Sequence, residues 1–284
     1  MINESNNIFL KNYKKKISLF HKYIVLLFPL ALITGPAIPE IICFLSIIIF
    51  LYNSFSEKKF KYFNNIFFYL FLVWASYLIL SSYLSSNTIF SLESTLFYFR
   101  FGLFSISIWY LIDHHDDFIK KFFFSMVFVF TLLIFDGFLQ YFYGSNILGN
   151  QYNPTKARLS SLFGDEWIMG SYLSRLMPLI FALSFYSFKN TKKYLLLLSL
   201  FIVLTDVLIY LSGERVAFIN LMIATILMIV LINQYKKFRL VTFIISLFII
   251  FIISFYNDNV RSRMINNTFD QINIFSEDYV ADHE

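Results

Sequence analysis

Long apolar runs separated by short polar stretches dominate the chain, with little of the strict alternation that marks half-buried strands. A helix needs roughly 17 to 25 apolar residues to cross the hydrocarbon core of a bilayer. On that measure the pattern predicts nine spans, over 18–34, 38–53, 66–84, 92–112, 120–142, 167–188, 194–211, 215–233 and 239–256. Only "GPAIP" separates the first two. One straight helix over 23–52 would be about 45 Å long, too long for the core. Gly35, Pro36 and Pro39 therefore predict a break and a helical hairpin.

Composition agrees with the pattern. Of 284 residues, 58% are hydrophobic, 21% aromatic and 14% charged, which excludes an ordinary water-soluble globule. The predicted fold class is an all-α polytopic membrane protein. It has a tail at 1–17, a transmembrane domain over 18–256 with a long loop at 143–166, and the start of a late loop over 257–284. "KNYKKK" before "YIVLLFPLALIT" has the outline of a signal peptide, but more membrane follows it, so this run is expected to stay as a first anchor. Cys43 is the single cysteine, which rules out an intramolecular disulfide and a thiolate zinc cluster.

Charge orients the spans, because cytoplasmic loops are enriched in Lys and Arg. With the N-terminus inside, sixteen of the 23 basic residues fall on inner segments, and fifteen of these are Lys; the exception is Arg239. The other seven, Arg100, Lys156, Arg158, Arg175, Arg215, Arg261 and Arg263, fall on the outer side or in the outer half of a span, and six are Arg. Inner Lys is a topological signal. Outer Arg needs another reason, and its planar fork of donors suits carboxylates and phosphates, so an anionic ligand is expected there.

The same topology gives each intramembrane polar residue a depth. Glu93, Arg100, Asp136, Gln140, Arg175, Asp206, Glu214 and Arg215 all fall in outer halves, which predicts a polar cavity open to the outside. Glu93 and Arg100 have a second reading as pairs that hold the bundle together, and Asp136 and Asp206 as polar glue between helices. Arg175 is read as functional, as is Arg215, which starts a helix just after Gly213, where backbone amides favour an anion. "DHHDDF" at 113–118 has metal-ligand residue types but lies in an inner loop, so it is read as a solvated loop. No P-loop, dinucleotide fingerprint or Gly-X-Ser-X-Gly occurs, and no metal site, cofactor or nucleic-acid partner is expected.

Three stretches taken together, "DGFLQYFYGSNILG", "RLSSLFGDEWIMGSYLSRLMPL" and "LSGERVAF", resemble the O-antigen ligase/polymerase family of bacterial inner-membrane glycosyltransferases. The likeness in span pattern covers roughly 20–284 and is sharpest from Asp136 to Phe218. The resemblance implies a metal-independent, all-helical enzyme. It would take an oligosaccharide from undecaprenyl diphosphate at the periplasmic face and pass it to a lipid A core or to another glycan acceptor. It also implies that Arg158, Arg175 and Arg215, with Arg100, face the diphosphate and sugar, and that His283 lies in the late periplasmic loop. His283 is then the first candidate for the base that deprotonates the acceptor, with Glu166 and Asp165 next. Members of this family continue past that loop into further spans, so the end at Glu284 predicts a shortened or truncated member. Two other readings stay open: a flippase for anionic lipid-linked glycans, and a non-catalytic partner of the glycan assembly machinery.

Overall fold

A computed structural model describes residues 2–154, 156–187, 192–233 and 236–270, with side chains described from 12 onward except at 192 and 193. The described residues are all-helical, apart from two isolated bridges, Ser145 with Gln151 and Asn153 with Arg158. Six helical stretches are long and apolar enough to cross a membrane: Ala37–Glu57, Ile66–Tyr83, Thr88–His114 (two helices joined by a turn over 96–98), Phe118–Tyr143, Tyr194–Leu211 and Lys236–Tyr256. They coincide with six of the nine expected spans, and the chain is a membrane protein. The other three expected spans are helical but do not reach this length and apolarity. The first is divided between Ile2–Leu26 and Phe28–Ala31, the sixth is Met169–Ser187 with Arg175 inside it, and the eighth is the 17-residue Arg215–Leu231. The break at "GPAIP" is present, with Gly35 at φ 100° between helices.

The chain divides into two compact units, Met1–Ser125 and Met126–Glu284. The first contains α1 (Ile2–Leu26), α2 (Phe28–Ala31), α3 (Ala37–Glu57), α4 (Ile66–Tyr83), α5 (Thr88–Thr95), α6 (Phe99–His114) and the start of α7 (Phe118–Tyr143). Local chemistry sets the ends: α3 stops at Lys58 in the left-handed region, and α4 starts where the Asn65 side chain accepts the Phe68 N–H at 2.8 Å. The core is aromatic, with Phe50, Tyr62, Ile106 and Tyr110 packed together. Gly102 lets α6 approach α4, since a Cβ there would lie 2.4 Å from the Phe71 ring. His21 is fully buried and its Nε2 meets Ser46 Oγ at 2.8 Å and Ser107 Oγ at 3.0 Å, a polar junction of α1, α3 and α6.

Segment 113–117 gathers the basic stretches of this unit at one end. Lys22 and Lys121 each reach Asp117 at 2.7 Å, and Lys61 reaches Asp113 at 2.6 Å. These lysines come from three segments that the charge count puts on one side of the membrane. Asp113 and His114 end α6 and Phe118 opens α7, so of the stretch "DHHDDF" read as a solvated loop only 115–117 lies between helices. Among the described residues no three His, Cys, Asp or Glu side chains converge as a metal set.

The second unit holds the rest of α7, then α8 (Met169–Ser187), α9 (Lys192–Leu211), α10 (Arg215–Leu231), α11 (Lys236–Tyr256) and α12 (Asp258–Arg261), which runs on through a π-helical turn at Ser262–Asn266. The 257–270 stretch expected as loop is thus largely helical. Met169, Leu173, Met177, Ile180 and Phe181 recur at helical spacing and form the buried face of α8. Deeper in the bundle, the Arg239 guanidinium of α11 donates to Asp206 of α9 at 3.0 and 3.3 Å and also to Thr225 Oγ1 of α10. Ser246 Oγ adds a donor to Asp206 at 3.0 Å. Both side chains are only 1% exposed. Arg239 is therefore no surface charge of an inner loop, as its place beside Lys236 and Lys237 suggested.

Candidate anion-binding site

At one end of the second unit, the loop after α7 meets the α9–α10 turn and the segment after α11. The loop is fixed from below by two polar residues one helical turn apart on α7. Asp136 Oδ1 accepts the Ile147 N–H at 2.9 Å, and Oδ2 accepts the Ser161 hydroxyl at 2.7 Å. Gln140 Oε1 accepts the N–H groups of Ser160 and Ser161 at 3.1 and 2.8 Å, while its Nε2 donates to the Asn150 carbonyl at 3.2 Å. Asn146 Nδ2 donates to the Ser161 carbonyl at 2.5 Å. Ala157 and Ser161 sit at φ 45° and 49°, a left-handed backbone that costs a non-glycine residue on the order of 1–3 kcal/mol.

The "LSGE" turn closes against this loop. Gly213 has φ 72°, and a Cβ on it would lie 2.1 Å from the Ala157 carbonyl oxygen, so only glycine fits. The Leu159 N–H donates to the Ser212 carbonyl at 3.3 Å. Glu214 turns its carboxylate onto the start of α8, accepting the Gly170 N–H at 2.6 Å, the Ser171 N–H at 3.1 Å and the Ser171 hydroxyl at 2.5 Å. It satisfies donors that a helix start leaves open, and a negative charge is favoured there.

Beside these contacts lies a partly open pocket of about 320 Å3 lined by Lys156, Arg158, Trp167, Asn259, Ser262, Arg263 and Asn267. Lys156 Nζ and the Arg158 guanidinium lie 4.8 and 5.2 Å from the centre of the Trp167 ring, within reach of its π face. Arg263 comes from the π-helical turn, its Nε 3.4 Å from the Gly213 carbonyl. Beside it, Arg215 donates to the Asn267 carbonyl and the Thr268 hydroxyl, both at 3.3 Å. Burial, and then the nearby Arg158 and Arg215 charges, hold the Arg263 guanidinium below its usual value. Among the described residues no Asp or Glu lines the pocket. Cations gathered without a lining carboxylate repel one another, and an anion relieves that repulsion.

Compared with known proteins, the chain matches no family model, no curated protein and no solved structure.

Of the residues expected to bind an anion, Arg158 and Arg215 come together here, joined by Arg263 and Lys156, which the sequence reading counted as outer cations without giving them a role. Arg175 is not in the pocket; it is exposed on the face of α8 opposite Met169 and Leu173, with no hydrogen bond or ion pair among the described residues. Arg100 belongs to the first unit and pairs with Glu40 at 2.9 Å, in keeping with the bundle-holding reading, while Glu93 is exposed on α5 and makes no pair with it. Asp165 and Glu166 are exposed in the turn before α8, next to Trp167 but outside the pocket lining. His283 lies outside the described residues.

Asp136, Gln140, Asp206 and Glu214, expected with Glu93 to line a polar cavity, are buried in the protein rather than facing open space. They are 0%, 1%, 1% and 6% exposed, and each is taken up by hydrogen bonds or an ion pair inside the protein. Asp206 is the glue between helices that the second reading allowed. Buried polar groups must find partners, and these find them in a neighbouring helix or a loop backbone. Such pairings join distant segments and leave no mark on sequence spacing.

Proposed function

We propose that this chain is a membrane glycosyltransferase of the O-antigen ligase/polymerase type. It takes an oligosaccharide from undecaprenyl diphosphate and delivers it to a lipid A core or glycan acceptor. The observation that carries this reading is the pocket of Lys156, Arg158 and Arg263 with Arg215 beside it, walled by Trp167 and with no lining carboxylate among the described residues. The cations suit a diphosphate, and an aromatic ring suits the apolar face of a sugar. The topology that goes with the proposal has nine spans, the N-terminus in the cytoplasm and the pocket at the periplasmic face of the bacterial inner membrane.

In the reaction, the acceptor hydroxyl attacks the anomeric carbon while the bond from that carbon to the diphosphate oxygen breaks. Negative charge grows on that oxygen, and guanidinium groups already in place stabilise it without reorganising. The acceptor proton goes to a base, with His283 first and Glu166 or Asp165 next. The flippase reading draws less support, because the deep ionisable pair Asp206 and Arg239 is closed on itself and lines no path.

The test is transfer from an undecaprenyl-diphosphate-linked oligosaccharide by Arg158→Ala and Arg263→Ala proteins. Each substitution is expected to lower turnover by about 100-fold, the scale of losing one group that stabilises transition-state charge. Unchanged turnover in both variants overturns the proposal. Donor binding by wild type without any transfer, in a reaction supplied with acceptor, points instead to the non-catalytic partner.

A further inference from the structure

We infer that Asp136 and Gln140 are positioning residues that hold Arg158 at the anion pocket by clamping a left-handed loop backbone; the inference rests on the anion-binding part of the proposal above. The Arg158 side chain makes no hydrogen bond among the described residues, and its buried Nε has no partner there. Its side chain is placed by the chain on either side and by the Trp167 ring. That chain is unusual, since Ala157 before Arg158 and Ser161 three residues after it both have positive φ. L-residues leave this region unless something holds them.

What holds them is specific. The N–H, hydroxyl and carbonyl of Ser161 are all taken, by Gln140, Asp136 and Asn146 respectively. Gln140 also accepts the Ser160 N–H, and Gly213 packs its Cα against the Ala157 carbonyl. Asp136 is fully buried, and among the described residues the partners of its carboxyl oxygens are one hydroxyl and one backbone N–H of this loop, with no cation. A buried carboxylate without a cation is costly to keep for packing alone. Its contacts all go to the loop that carries Arg158.

The experiment is calorimetric titration of the full-length protein in detergent with inorganic diphosphate, with thermal melting measured in parallel. Gln140→Leu and Asp136→Leu are each expected to weaken binding about tenfold or more, and to have no further effect on binding once Arg158→Ala is present, because residues that act through one another are not additive. Gln140→Glu keeps the acceptor for Ser160 and Ser161 and is expected to bind within about threefold of wild type even where its melting temperature falls. A role confined to stability would shift melting in all three and leave binding intact or additive with Arg158→Ala, which would overturn the inference. Wild type that does not bind diphosphate removes the pocket and this inference together. Diphosphate binding that follows the expected pattern, in a protein that transfers no glycan, upholds the inference and removes the glycosyltransferase reading.

Discussion

Arg239 shows how little a residue's neighbours in sequence reveal about its surroundings. It follows two lysines at the start of a span, where snorkelling to the interface is the ordinary outcome. Instead it crosses to Asp206 with two hydrogen bonds and takes Thr225 as a third partner. Removing one member of such a pair strands a charge in a low-dielectric interior, which costs about 3–5 kcal/mol, whereas replacing both by apolar residues is far milder. Arg239→Met is therefore expected to lower the melting temperature in detergent markedly, and Asp206→Leu with Arg239→Leu to restore much of it. A single variant that melts with wild type would show that the pair does not hold α9 to α11. The same contrast separates the pocket arginines: Arg158 and Arg263 gather with like charges, and Arg100 and Arg239 pair with carboxylates.

Among the elements, the turn 212–214 does the most with the fewest residues. Ser212 receives the Arg158 loop, Gly213 makes room for it, and Glu214 caps α8 from the start of α10. Gly213→Ala brings a Cβ to 2.1 Å from a backbone oxygen at φ 72°, so the turn or the loop must move. The expected result is a loss of about 2 kcal/mol or more in stability, together with weaker diphosphate binding, read by melting and titration on the same sample. Gly35→Ala makes the control, because it also changes a glycine at positive φ but has nothing within 4 Å to strike. If both variants keep wild-type binding, the close packing of the turn on the loop is not what shapes the pocket. The helices themselves follow their apolar runs closely, as in α4 at Ile66–Tyr83 against the expected 66–84, since long runs leave little choice about where a backbone satisfies its own hydrogen bonds.

For the whole molecule, the sidedness of the loops is the remaining question that one measurement answers. Cys43 is buried, so single cysteines introduced at Lys61, Lys121 and Lys156 can be labelled against a quiet background. In sealed vesicles, 61 and 121 are expected to react from the same face and 156 from the opposite one; labelling of all three from one side would refute the alternating arrangement of spans. The sequence by itself determined the membrane class, the places of the six helices long and apolar enough to cross a membrane among its nine expected spans, the break at "GPAIP" and the segments that carry Arg158 and Arg215, because hydrophobic length and turn residues are local properties. It also marked Asp136, Gln140, Glu214 and Asp206 as unusual, through the cost of polar groups in apolar runs. Their partners were decided only by the tertiary structure. Asp136 meets Ser161, Glu214 meets Gly170, Asp206 meets Arg239, and Arg158 meets Arg263 in one pocket, across separations of 25 to more than 100 residues. The physical reason is that a buried polar group is satisfied by whatever donor or acceptor the packed helices bring within about 3 Å, and packing is a property of the assembled chain.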